Sequence, residues 1–282
     1  MKVSVIITVY NIEPYIKECM DSVLGQTHRD LEIVVVDDCS PDGSMEIVKG
    51  YDDERIKIVS HAENMGAGWA RRHGIEACTG DYVITVDGDD WLSEDFIEKL
   101  VEGAERTDAD IVSGGITAVY ADGRRELHAI PEGVSEGLQK FKDYENGKVV
   151  FLNNKIVRRA MYDTTPYCTR RYCEDTPVIL PLLYYANRVA YVDAKGYYYR
   201  QRKDSLCHEV TKLEDALFKA LCSVECHRFF LAKEDVYHSL ISKAEFLEWI
   251  DTIHKLITPE KAVEYKAEID ELMKGISNYN IV

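Results

Sequence analysis

The N-terminal 120 residues are written as short apolar runs, each cut off by polar residues and separated by amphipathic stretches. Val3 to Val9 is a continuous, largely β-branched run, the pattern of a strand covered on both faces inside a parallel sheet. Ile16, Met20, Val23 and Leu24 then recur near i, i+4, i+7 spacing, which predicts a helix over Ile12 to Leu24. Leu31 to Val36 repeats the buried-strand pattern and stops at Asp37-Asp38. Pro41-Asp42-Gly43-Ser44 is turn chemistry that opens a helix running to about Tyr51. Ile56 to Ser60 is a short third strand. After Asn64-Met65-Gly66 a helix covers Ala67 to Ala77 and ends at Thr79-Gly80. Tyr82 to Val86 is a fourth strand, cut off by Asp87-Gly88-Asp89-Asp90. Ser93 begins another helix, with Glu94 and Asp95 in the first turn, where the helix dipole favours anions. Ala109 to Tyr120 reads as a fifth strand, leading into a hairpin turn at Asp122-Gly123.

Strand and helix alternating in this rhythm predict an α/β fold, a doubly wound and mostly parallel sheet flanked by helices. Beyond about residue 130 the pattern loosens. Tyr162 to Tyr199 is rich in Tyr and Arg, with a helix expected near Pro177 to Ala186 and a strand pair near Arg188 to Arg200. From Lys212 onward the chain reads as helices over roughly 212–231, 236–256 and 259–274, a helical C-terminal extension. No internal repeat or low-complexity linker interrupts it.

Composition narrows the classes of partner. The chain has 282 residues, 46% of them hydrophobic, enough for one large α/β domain with an appendage and for a real core. Acidic residues outnumber basic ones, 50 to 34, for a formal charge of −16. A field of that sign repels phosphate backbones and anionic membranes, so no nucleic-acid partner is expected. The 8 cysteines form no C-x-x-C pair. Cys222, Cys226 and His227 share part of a helical face but do not make a four-ligand metal site, so scattered free thiols are the simpler account. Met1-Lys2 leads directly into the first strand with no signal-peptide pattern, and no apolar stretch approaches the roughly eighteen residues of a membrane span. The expectation is a cytoplasmic protein, with peripheral association at the inner face of the membrane left open.

The chemistry lies where the strands stop. The first run ends at Thr8-Val9-Tyr10-Asn11, the second at Asp37-Asp38 and the fourth at Asp87-Gly88-Asp89. Ligands of open α/β sheets bind at the carboxyl ends of strands, so these groups should converge on one crevice. Carboxylates gathered there repel one another unless a cation intervenes, and Asp87 and Asp89 suit a hard divalent cation. The glycine between them is expected to permit close approach of a diphosphate. Asp-Gly-Asp-Asp is also ordinary turn composition, and Asp37-Asp38 can equally be a helix-capping turn; it is their position directly after apolar strands that favours a site.

Several blocks together resemble a family. Val3-Ser4-Val5-Ile6-Ile7-Thr8-Val9-Tyr10-Asn11, Ser22-Val23-Leu24-Gly25-Gln26-Thr27 and Val35-Val36-Asp37-Asp38-Cys39-Ser40-Pro41-Asp42-Gly43-Ser44 are similar to the N-terminal half of family 2 glycosyltransferases, which have the GT-A fold. Asn64-Met65-Gly66, Ala70-Arg71 and Gly80-Asp81-Tyr82-Val83 through Val86-Asp87-Gly88-Asp89-Asp90 continue the resemblance in order. It implies that Thr8 and Tyr10 line a nucleobase pocket, Tyr10 stacking on the base, and that Asp38 hydrogen-bonds uracil or ribose. Asn64 and Gly66 would lie near base and ribose, with Arg71 in the nucleotide-sugar site. Asp87 and Asp89 would be the Asp-x-Asp motif that touches ribose and diphosphate and holds Mn2+ or Mg2+. Arg72 departs from the Asn often found after Ala-Arg in these enzymes.

The resemblance resumes at Cys173-Glu174-Asp175-Thr176 and at Tyr197 to Leu206. It implies Asp175 as catalytic base, with Glu174 second; an inverting transfer needs one carboxylate to take the acceptor proton. An acidic pair at a helix start is also ordinary capping. Arg200, Arg202 and Lys203 would supply positive charge to an anionic donor, or form a solvated strand end. The implied function is transfer of a sugar from a nucleotide-diphosphate donor, a UDP-sugar, to a saccharide or glycolipid acceptor in cell-surface polysaccharide or glycoconjugate synthesis. Residues 1–208 would be the catalytic domain, with 1–120 its nucleotide-sugar half and 121–208 its acceptor half; 209–282 would be the extension. A dinucleotide-dependent oxidoreductase would carry G-x-G-x-x-G after the first strand, where this chain has Tyr10-Asn11, and a phosphoacceptor domain would be far shorter. A nucleotidyltransferase would begin with a Gly-rich basic loop. A catalytically inactive sugar-nucleotide-binding or scaffold protein is the alternative from another class.

Overall fold

Each apolar run of the N-terminal half is a strand in the computed structural model, which describes residues 1–166, 175–202, 211–231 and 243–279. β1 (Val3–Val9), β2 (Leu31–Asp37), β3 (Ile56–Ser60) and β4 (Tyr82–Asp87) pair in parallel in the order β3-β2-β1-β4. Alternation then assigns the two faces. Val5, Ile7, Val9, Ile33 and Val35 pack with Ile16, Met20 and Val23 of α1 (Glu13–Leu24) and with Phe96, Ile97 and Leu100 of α4 (Phe96–Thr107). Ile6, Val34 and Val36 face the other way, against Ala70 and Ile75 of α3 (Ala67–Ala77). Burying each such side chain contributes about 1.5–3 kcal/mol, and both faces of the sheet collect it. α3 lies especially close to β1, because a Cβ at Gly74 would sit 2.5 Å from Ile6 Cγ2. α2 (Ser44–Lys49) completes the first layer beside α1.

The sheet extends well beyond these four strands. β5 (Trp91–Leu92) is followed by β6 (Ile111–Ser113), β7 (Ile116–Tyr120), β8 (Arg125–His128), β9 (Gly133–Glu136), α5 (Gln139–Glu145) and β10 (Lys155–Arg158). Then come α6 (Asp175–Tyr185), β11 (Arg188–Tyr191) and β12 (Tyr197–Gln201). The main sheet has eight strands in the order β3-β2-β1-β4-β10-β6-β11-β9, and β10 runs antiparallel to both of its neighbours. A second sheet, β5-β12-β7-β8, lies at its end. The single strand expected over Ala109 to Tyr120 is therefore two strands in two sheets. The break is Gly114-Gly115, where a Cβ on Gly114 would meet the Ala194 carbonyl at 2.7 Å. The strand pair expected over Arg188 to Arg200 is likewise divided, since β11 joins β6 and β12 joins β7 and β5. The hairpin at Asp122-Gly123 is present, with Gly123 at φ 86°.

α7 (Lys212–Leu231), α8 (Lys243–Leu256), α9 (Pro259–Glu264) and α10 (Lys266–Tyr279) form the C-terminal helices; the expected last helix is split at Tyr265. They share a core of their own around Leu217, Leu221, Phe246 and Leu272, while Cys226 and Phe230 of α7 join the cluster that includes α6. Cys222 and Cys226 are buried. Among the described residues no helix is long and apolar enough to cross a membrane.

Candidate active site

The carboxyl ends of β1, β2 and β4 lie side by side, Thr8 being registered between Val36 and Asp87. Thr8, Asp38 and Asp87 thus emerge on the α3 side of the sheet. A network of short side chains ties the flanking loops together. Ser40 Oγ accepts from the Asn11 amide at 2.8 Å, and Asp42 accepts from the Glu13 amide at 2.8 Å and from both Ser40 Oγ and Ser44 Oγ. Burial works against the Asp42 charge, but these hydrogen bonds outweigh it and bring the pKa down to about 2. Asn11 and Cys39 both take positive φ in this tight crossing. Tyr10, held at its rim, is 43% exposed, with its ring available for stacking.

Asp38, expected to hydrogen-bond uracil or ribose, holds the protein's own backbone. It is 3% exposed, and its carboxylate is taken up by the protein: Oδ1 accepts from the Met65 amide at 2.8 Å and from His61 Nδ1 at 2.7 Å, and Oδ2 from the Gly66 amide at 2.7 Å. His61 Nε2 in turn meets His73 Nδ1 at 2.8 Å. Gly66, at φ 91° where a Cβ would be strained, turns the chain into α3. Asp38 therefore organises the loop carrying Asn64 and Gly66. Asn64 itself is exposed.

The aspartates after β4 sit among cations and rings. Arg71 of α3 donates to Asp87 Oδ1 at 2.8 Å, and Asn153 Nδ2 reaches Asp87 Oδ2 at 3.4 Å. Arg202 Nε donates to Asp89 Oδ2 at 2.7 Å, and Arg200 Nε to the Asp89 carbonyl at 2.8 Å. Arg200 also lies over the rings of Trp91, at 4.4 Å, and Tyr15, at 4.9 Å, and pairs with Glu18. β12 brings Arg200, and Arg202 just past its end, here from the second sheet. Asp90, fully buried, accepts from Tyr197 Oη at 2.7 Å and from the Arg200 amide at 2.8 Å. Burial, then the neighbouring Asp89 and Asp87 charges, push the Asp90 pKa well above the usual carboxylate range; burial and Asp87 also raise Asp89, against the pull of Arg202. Burial and the same aspartates raise the Cys19 thiol, which makes it inert.

Packing beneath the motif calls for glycine at position 88. A Cβ there would stand 2.4 Å from Ile12 Cδ1 and 2.7 Å from the Thr8 carbonyl, so glycine is required by packing beneath the motif.

Asp87 and Asp89 are two hard oxygen donors, each paired here with an arginine, and such donors suit a hard divalent cation. Among the described residues no three His, Cys, Asp or Glu side chains converge on one point, so such an ion would draw its remaining ligands from diphosphate and water, as Mg2+ does in nucleotide enzymes. Asp175 opens α6, on the face of the sheet shared with α3, and its charge is felt by the buried Lys155 of β10. Glu174 and Lys203 lie outside the described residues. Sequence reasoning missed Asp90, Tyr197, Asn153, Lys155 and the His61–His73 pair; only the acidic run Asp87 to Asp90 carried any local signal for one of them.

Residues 4–165 match the family described as Glycosyl transferase family 2. A Bacillus subtilis protein named uncharacterized glycosyltransferase EpsJ is 35% identical over 215 residues, 72% of this chain and 62% of that protein. Glycosyltransferase GlyA of Streptococcus pneumoniae is 31% identical over 218 residues, 73% of this chain but 31% of that protein. The matched region thus spans less than two thirds of either relative. Among solved structures, S. aureus TarS 1–349 in complex with UDP-GlcNAc superposes with a TM-score of 0.66 at 22% identity, covering 99% of this chain and 80% of that one, a likeness in fold.

Proposed function

We propose that this chain, which belongs to glycosyl transferase family 2 and has its GT-A type of fold, transfers a sugar from a UDP-sugar to a hydroxyl of a saccharide or glycolipid acceptor, with inversion. The observation that carries the reading is the meeting of Asp87 and Asp89 with Arg71, Arg200 and Arg202 where β1, β2 and β4 end. An acidic chain can admit an anionic donor there because the cations are local. TarS, whose fold is similar, is known with UDP-GlcNAc, which supports a uridine donor.

In this reading the Tyr10 ring stacks on the base while Thr8 and the loop held by Asp38 close the pocket around base and ribose. Asp87 and Asp89 would hold Mn2+ or Mg2+, which when bound neutralises charge developing on the leaving diphosphate. Arg71 and Arg202, now paired with those aspartates, are positioned to turn toward the phosphates. Asp175 accepts the proton of the acceptor hydroxyl as its oxygen bonds to the anomeric carbon and the carbon–oxygen bond to the diphosphate breaks. Residues 1–208 would be the catalytic unit, and 209–282 an extension serving acceptor, partner or membrane surface.

UDP release from UDP-glucose, UDP-galactose and UDP-N-acetylglucosamine, with Mn2+ and with excess chelator, tests this. Release is expected only with metal, and Asp89→Ala should abolish it while melting near the parent temperature, since its carboxylate belongs to no core cluster. Undiminished release in chelator would remove the metal from the reading, and tighter binding of GDP than UDP would remove the uridine donor.

A further inference from the structure

Lys155 places a charged end where apolar packing would otherwise be continuous. It is 1% exposed. On β10 it stands opposite Ser113 of β6, while Val157, two residues on, stands opposite Val83 of β4. Alternation puts Lys155 and Val157 on one face of the sheet. Val157 packs in the same cluster as Ile179 and Leu182 of α6, so this face lies beneath the helix that Asp175 begins. Asn153, in the bend just before β10, reaches Asp87. Lys155 thus follows the bend that reaches Asp87 and lies on the face covered by the helix that Asp175 begins.

A buried ammonium costs several kcal/mol unless it is compensated. Among the described residues the hydrogen-bond partner of Lys155 Nζ is Asn154 Oδ1 at 2.6 Å, a neutral acceptor. The hydroxyl of Ser113, directly across the strand pair, is buried and makes no hydrogen bond among the described residues. Neither group offers a negative charge. The carboxylate whose charge acts on the ammonium is Asp175: burial brings the Lys155 pKa down to about 7, and Asp175 pulls the other way. Compensation is mutual, so whatever Asp175 does for the lysine, the lysine does for Asp175.

We propose that Lys155 is a positioning residue for sugar transfer: buried beneath the start of α6, its ammonium is the counter-charge that keeps the Asp175 carboxylate ionised and fixed toward the acceptor hydroxyl. This rests on the reading of Asp175 as the base. Lys155 touches neither sugar nor nucleotide, and it neither gives nor takes a proton; the acceptor proton ends on Asp175.

The test compares Lys155→Met, Asp175→Asn and the double variant in the full chain. UDP release is followed from whichever of UDP-glucose or UDP-N-acetylglucosamine the parent turns over with Mn2+, and UDP affinity is measured by calorimetry. Lys155→Met should fold, melt no lower than the parent, keep the UDP Kd and donor KM within about threefold, and lose about tenfold or more in kcat. Asp175→Asn should lose about a hundredfold, and the double variant no more than that, because the lysine acts only through the carboxylate. Lys155→Arg, which keeps the cation, should recover part of the loss, and Lys155→Gln stands in for Lys155→Met if the latter does not fold. Unchanged kcat in Lys155→Met beside an inactive Asp175→Asn overturns the role of Lys155 alone, as do losses that multiply in the double variant. Full turnover in Asp175→Asn would instead overturn the base itself, and the lysine's role with it.

Discussion

Asp38→Asn separates two roles for one carboxylate. In the structure one Asp38 oxygen faces two donors, the Met65 amide and His61 Nδ1, and the other faces the Gly66 amide. An asparagine keeps the shape but replaces one acceptor with an NH2 group. Turned one way, that NH2 confronts the Gly66 amide. Turned the other way, it confronts the Met65 amide, and a change of His61 tautomer relieves only the imidazole. Either orientation leaves a buried N–H facing another donor and takes the charge from the remaining hydrogen bonds. A charge-assisted bond is worth about 1.5–3 kcal/mol and an unsatisfied buried donor costs about 1–3 kcal/mol, so a net loss of about 2–3 kcal/mol is expected. For a chain of this size that is about 5–10 °C in Tm. Urea unfolding followed by tryptophan fluorescence, together with thermal melting, measures it. UDP affinity should fall in the same variant, because the loop bearing Asn64 and Gly66 loses its anchor. A variant that melts within about 1 °C of the parent while binding UDP far more weakly would refute the reasoning. Asp38 would then contact the base directly and the loop would be held by something else.

Gly88→Ala forces a Cβ to within 2.7 Å of the Thr8 carbonyl, a backbone atom that cannot swing aside. It should cost about 1–3 kcal/mol in unfolding free energy and lower UDP release, and a parent-like urea midpoint would show that the motif's glycine has another purpose. Asp42 governs acid stability: its folded pKa of about 2 lies below an unfolded value near 4, so its contribution is complete above about pH 4 and is lost as pH falls toward 2. Asp42→Ala should lower stability at neutral pH and flatten its decline between about pH 4 and pH 2; identical slopes for variant and parent would count against this.

Much of the architecture was legible because local pattern encodes burial. Val3 to Val9 and Leu31 to Val36 are apolar at successive positions, and only a strand covered on both faces uses such a run. The aspartates that end those strands and the fourth one were legible for the same reason, since a strand's last residue in a parallel sheet points its neighbours to one common edge. What periodicity could not carry was which sheet a strand joins. Gly114-Gly115 looks like a weak point within one strand, yet the chain changes sheets there because Ala194 and Phe96 occupy the space a side chain would need. β11 and β12 read as partners, but β6 and β7 offered each a longer-range edge. The site divided in the same way. Asp87, Asp89, Tyr10 and Arg71 were visible as residues, but the ion pair of Asp89 with Arg202 and the hydrogen bonds of Asp38 with the loop after β3 join segments remote in sequence. Lys155 gave no signal at all, because a lysine in a strand is ordinarily at the surface. Residue type and spacing determine what each segment can become; its partners, and hence the charge, solvation and duty of each side chain, are decided by contacts that exist only after the chain has closed on itself.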